Sequence, residues 1–269
     1  MLNLHRLKEL TLFDFCYALA NLKSLAFIIP YFFFWYLIFD NVSQLAVEWL
    51  QSAHGLFIAS SVLENQDLVT RMFVDRPATL SLYLIISTTI TPLFILLAAN
   101  NQYSTDAARG AFRFILTRAT RTELYLSRFI AVIFLVLICT FITSLWASIQ
   151  AFLNKEAELQ AIIFFGSQTF VLLSFYSLPF IAFMSTVSTL TRSAFGCLFF
   201  GMMLYVLIVT ISFLLKDDIS YSVYLIPSGI KPTLIDINME NFLISIAVLS
   251  CYTLVYFTCG WLIFKRRDM

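Results

Sequence analysis

Six stretches of this chain contain no Asp, Glu, Lys, Arg or His: residues 24–39, 77–105, 129–154, 159–191, 193–215 and 241–264. All but the first exceed the roughly 20 apolar residues that a helix needs to cross about 30 Å of hydrocarbon. The first is short by a turn, which Leu22 can restore if Lys23 extends its ammonium to the headgroups. A soluble domain carries charges on about a quarter of its residues; this one carries 12%, with 60% hydrophobic residues. The expected fold is an all-α integral membrane protein, one domain over residues 1–269, with spans near 22–39, 80–100, 129–153, 160–190, 194–215 and 241–264.

Lys and Arg orient the bundle. The N-terminus, the 106–128 loop, Arg192 and the tail hold twelve of the 17 basic residues; Arg71, Arg76, Lys155, Lys216 and Lys231 fall on the other side. By the positive-inside rule both termini and the arginine-rich loop are cytoplasmic. Glu9 and Asp14 interrupt the N-terminus before the first apolar run, so span 1 reads as a retained anchor. No cysteine falls in an external loop, which disfavours a structural disulfide.

The connections are unequal. Residues 40–76 carry Val42, Leu45, Ala46, Trp49, Leu50, Ala53, Leu56 and Phe57 at helical spacing, which predicts an amphipathic helix at the outer interface. Residues 216–240, broken by Pro227, Gly229 and Pro232, suit short interfacial or re-entrant pieces. The loop after span 2 predicts one short amphipathic helix: Ala108, Ala111, Phe112, Ile115 and Leu116 on one face, Asp106, Arg109, Arg113 and Thr117 on another. Ser104 or Thr105 is its expected cap. Thr120-x-x-Glu123 is a capping-box pattern ahead of span 3. Leu2 to Ala20 suggests a cytoplasmic interface helix.

The chemistry that is missing also constrains function. The middles of spans 2 to 6 hold no ionisable carboxylate, base or cation, which disfavours direct proton coupling. Phosphate-loop, dinucleotide, zinc-protease and nucleophile-elbow signatures are absent from the sequence. No catalytic residue, metal ligand or bound cofactor is expected, nor a nucleic-acid partner; if the chain moves something, a partner supplies the energy. Hydroxyls at Thr88, Thr89, Thr91, Thr210 and Ser212 either line a path or bond helix carbonyls.

The run Asp106-Ala-Ala-Arg-Gly110-Ala-Phe-Arg-Phe-Ile-Leu-Thr-Arg118-Ala-Thr-Arg121-Thr-Glu123-Leu-Tyr-Leu-Ser-Arg128 resembles the cytoplasmic loop of type-2 ATP-binding-cassette exporter permeases. Asp106 stands for that family's Glu, Ala111 for Thr, Ala119 for Pro and Arg128 for Lys. The Ser-rich run from Phe183 to Ala194 and the ending Phe264-Lys-Arg-Arg-Asp268 are similar to further family segments. The resemblance implies a permease of the bacterial plasma membrane, pairing with a second permease copy or a homologue and with two copies of a cytoplasmic ATP-binding subunit that holds ATP and Mg. It makes the helix between spans 2 and 3 the coupling helix, with Asp106, Arg109, Gly110 and Arg113 as ATPase contacts and Arg121 and Glu123 at the helix break. The rival readings are an ion-coupled secondary transporter and a non-transporting membrane scaffold.

Overall fold

A computed structural model describes residues 3–20, 22–42, 47–48, 52, 54–55, 66–100, 102–215, 224, 226–235 and 239–266. The helix expected over residues 42–57 and the surroundings of Lys216 fall largely outside these.

Among the described residues the fold is entirely helical. In chain order the helices are α1 (Leu4–Ala20), α2 (Leu22–Leu37), α3 (Gln66–Phe73), α4 (Ala78–Ala98), α5 (Ser104–Ala108), α6 (Phe112–Ile115), α7 (Arg121–Leu153), α8 (Leu159–Leu190), α9 (Ala194–Leu214), α10 (Lys231–Ile235) and α11 (Met239–Arg266). Five of them, α4, α7, α8, α9 and α11, are long and apolar enough to cross a membrane. Helix α2 begins at Leu22 as expected, and a π-helical turn, Ile38–Val42, prolongs it at the other end. Together they run roughly 30 Å at about 1.5 Å per residue.

Helix α8 is the most enclosed of the long helices, while α9 and α11 remain largely exposed. Its Leu172, Tyr176, Phe180 and Met184 meet Ile95 and Leu96 of α4, Phe129 and Val136 of α7 and Leu249 of α11 in the main core. The Tyr176 hydroxyl donates to the Thr88 carbonyl at 2.9 Å, tying α8 to α4. Where α11 crosses α7 and α8, a Cβ on Gly260 would overlap the Tyr125 and Thr186 hydroxyls and lie 3.1 Å from the Thr186 Cα. Glycine is what lets these backbones approach.

The two ends of the bundle are closed differently. At one end the tight turn between α7 and α8 supplies Glu156, whose carboxylate accepts from the Thr79 amide at 2.9 Å and from its hydroxyl. Pro77 gives α4 no side-chain cap, so this borrowed carboxylate satisfies the start of the helix. Trp35, Phe39, Tyr83 and Ile162 pack nearby. At the other end Asn3, Arg121 and Lys265 come together, so the start of α1, the start of α7 and the last turn of α11 share one face.

Candidate functional site

That face carries the connection between α4 and α7, which folds as two short helices where the sequence suggests one. Gly110 divides them. It sits at φ +68, its amide donates to the Ala107 carbonyl at 3.4 Å, and the Ala111 amide donates to the Asp106 carbonyl at 3.0 Å. These two bonds are the glycine-closed helix end, in which a left-handed residue lets the chain turn away. Phe112 is buried beneath the turn and Arg109 is exposed on it.

Arg128, one residue short of the expected start of span 3, props the segment from below. Its guanidinium pairs with Asp106, donates to the Gln102 carbonyl at 2.5 Å, and lies 5.3 Å from the Phe112 ring centroid and 5.9 Å from that of Tyr103. A planar cation with five donors can serve two acceptors and two ring faces at once. The Gln102 side-chain oxygen in turn accepts from Ser185 at 2.5 Å. Ser188 accepts from the amides of Tyr103 and Ser104 at 2.9 and 3.2 Å. The start of α5 is therefore satisfied by a serine of α8. Ser104, one of the two expected caps, instead donates its hydroxyl to the Asn100 carbonyl at 3.1 Å.

Aromatic packing completes the base. Tyr103 stacks on Tyr125 at 5.2 Å between centroids and donates to the Tyr125 carbonyl at 2.7 Å. Phe264 of α11 contacts both tyrosines and meets Phe112 edge-on at 5.7 Å. Tyr103, Tyr125 and Phe264 are all fully buried.

The capping box forms as the spacing predicts. The Glu123 amide donates to the Thr120 hydroxyl at 3.3 Å, and the Thr120 amide donates to the Glu123 carboxylate at 2.9 Å. The second carboxylate oxygen accepts from the Asn3 amide at 2.7 Å, so the same glutamate anchors α1. Farther along α1, Ser127 donates to Asp14 at 3.0 Å. Burial holds the Asp14 carboxyl above its ordinary pKa range, against the opposing pull of Arg128 and Ser127. The Arg121 guanidinium donates to the Lys265 carbonyl at 2.7 Å, satisfying the last turn of α11.

The result is a knob held from three long helices, α7, α8 and α11. Its outer surface presents Arg109, Arg118 and Phe114, whose ring is 79% exposed. Beside it a groove of about 680 Å³ runs between α1 and the end of α6, lined by Arg6, Glu9, Leu10, Phe114, Ile115 and Arg118. Of the six residues singled out here, Arg109 lies on the outside, Gly110 makes the turn, and Asp106, Arg121 and Glu123 are engaged by the bundle. Arg113 has its backbone in α6, and its side chain lies outside what is described.

Three of the five span hydroxyls bond carbonyls of their own helices. Thr88 and Thr89 donate to the Ile85 carbonyl at 2.9 and 3.1 Å, and Thr210 donates to the Val206 carbonyl at 2.9 Å. Thr88 and Ser212 are buried, Thr91 is half-buried, and Thr89 and Thr210 are exposed. Thr89 also accepts a contact that the sequence did not suggest, from Lys231 at 3.5 Å. Among the described residues no group of three or more His, Cys, Asp or Glu is placed to hold a metal ion.

Five long apolar helices, α8 the most enclosed of them, define a multi-pass helical membrane protein. The chain belongs to the family described as "Protein of unknown function (DUF2705)", whose sequence profile matches residues 56–269. The matched region takes in the knob and all five long helices. A comparison with curated proteins finds no match.

Proposed function

We propose that this chain is the permease subunit of an ATP-driven exporter in the bacterial plasma membrane. It works as a dimer with a second permease, through which the substrate passes, and the ATP and Mg are held by two cytoplasmic ATP-binding subunits. In this reading the helical run over residues 22–42 is the sixth span, both termini are cytoplasmic, and α5–α6 is the coupling segment.

The observation that carries the reading is the knob itself. A segment that transmits force must be stiffer than what it moves, and buried pairing with ring packing is how a short connection becomes stiff. Its fastenings reach α7 through Arg128, α8 through Ser185 and Ser188, and α11 through Phe264. A push on Arg109, Phe114 or Arg113 is then felt by three long helices together. Asp106, Arg121 and Glu123 serve this by holding the knob and its neighbours in register, while Arg109 and Gly110 shape the face the ATPase meets.

Affinity purification of the tagged chain from its native membrane in mild detergent tests the proposal. The expected result is a stoichiometric cytoplasmic subunit with a phosphate-binding loop and vanadate-sensitive ATP hydrolysis. An intact, monodisperse chain that never carries such a subunit contradicts it and favours the ion-coupled carrier.

A further inference from the structure

The described part of the connection between α9 and α11 does not stay at the end of the bundle. It enters as a 3₁₀ turn, Pro227–Ile230, followed by α10. Ile230 and Leu234 join the main core with Leu172, Tyr176 and Leu249. Tyr252, the fourteenth residue of α11, donates its hydroxyl to the Tyr224 carbonyl, and Ser245 bonds Thr233 at 3.3 Å. Lys231 reaches Thr89, the twelfth of the 21 residues of α4. At about 1.5 Å per residue Thr89 lies roughly 17 Å along that helix, near the middle of a hydrocarbon layer about 30 Å thick.

Lys231 therefore brings a cation to a depth where the spans themselves carry none. Among the described residues the one polar contact of its ammonium is the Thr89 hydroxyl, and no carboxylate acts on it. An ammonium has three donors and one positive charge, and a single 3.5 Å bond to a neutral oxygen compensates neither. Ionisable groups held at such depth mark a ligand or ion pathway. The surroundings say what kind. Thr89 is exposed, and Leu93 and Leu97, four and eight residues on, are exposed on the same stripe of α4. A cation at the head of an apolar stripe matches a molecule with an anionic head and a hydrocarbon tail.

We propose that Lys231 and Thr89 bind the phosphate or carboxylate head of a single-chain amphiphile whose tail lies along Leu93 and Leu97. This rests on the exporter reading for calling that amphiphile the substrate; the binding itself does not. Lys231 supplies the charge and Thr89 holds the ammonium toward the stripe.

Native mass spectrometry of the full chain in neutral detergent, without nucleotide or ATPase, tests it with dodecyl phosphate against dodecyltrimethylammonium. The wild type is expected to retain the phosphate about ten-fold more than the cation. Lys231→Met should abolish the preference, Lys231→Arg should keep it, and Thr89→Val, which removes no charge, should weaken it about three-fold. Each variant is first shown to be monodisperse. Equal retention of both probes by the wild type, or an unchanged preference in Lys231→Met, overturns the proposal. Competition by phosphatidylglycerol distinguishes the sources of the anionic head: displacement assigns the site to a lipid, resistance to a single-chain amphiphile. A chain that binds dodecyl phosphate through Lys231 but never carries an ATPase keeps the site and loses the exporter. A chain with its ATPase and no charge preference keeps the exporter and loses the site.

Discussion

The connections α4–α7 and α9–α11 each contain a glycine and a charged residue next to an apolar helix, yet they are built in opposite senses. In the first, Arg128 meets Asp106, Gln102 and two rings, and the chain is propped outward as a knob. In the second, Lys231 meets one hydroxyl, and the chain dips inward beside α4 and α11. A charge satisfied by its own protein makes a rigid part; a charge left short of partners makes a place for something else.

Removing the prop should have the largest effect. Arg128→Met leaves the part-buried Asp106 without its counter-charge and the Gln102 carbonyl without its donor, and is expected to cost about 2 kcal/mol, less than breaking a fully buried pair does; thermal unfolding in detergent measures it. The double variant with Asp106→Asn should recover part of that loss. Next comes Ser188→Ala, which orphans the amides of Tyr103 and Ser104 and should cost about 1–2 kcal/mol in the same assay. Two milder changes sharpen the contrast. Gly110→Ala meets no atom within 4 Å, so its cost is backbone strain alone, about 1 kcal/mol. Tyr252→Phe removes the bond to the Tyr224 carbonyl and should cost about 1 kcal/mol, loosening the dipping segment while leaving the knob's protection from hydrogen exchange unchanged. Arg109→Glu with Arg113→Glu should change stability least, within about 0.5 kcal/mol. That pair should nevertheless uncouple ATP hydrolysis from transport in proteoliposomes, and wild-type transport would break the assignment of the knob.

Local patterns predicted what local physics decides. The apolar runs located the long helices, because burial in hydrocarbon acts residue by residue. Thr120 and Glu123 foretold their cap, because both partners lie within one turn. Gly110 held a signal the helical reading passed over: a glycine after α5 marks a helix end as readily as it sits inside one. The rest depends on chain ends that meet far apart in sequence. Arg128 finds Asp106 across 22 residues, and Ser185 and Ser188 find residues 102–104 from another helix. Those serines explain the Ser-rich end of α8, but no spacing names their partners. Lys231 shows the same limit most plainly: as a loop cation it counted toward one side of the membrane, and only the dip of its segment reveals its depth.

The most direct test of the central claim is a photo-crosslinking side chain placed at Phe114, the exposed ring of the knob, in the full chain in living cells. The account predicts a single major adduct whose partner is a cytoplasmic subunit bearing a phosphate-binding loop, lost when Arg109 and Arg113 are both reversed. Crosslinks to lipid alone, from a chain that is folded and in its native membrane, would contradict it.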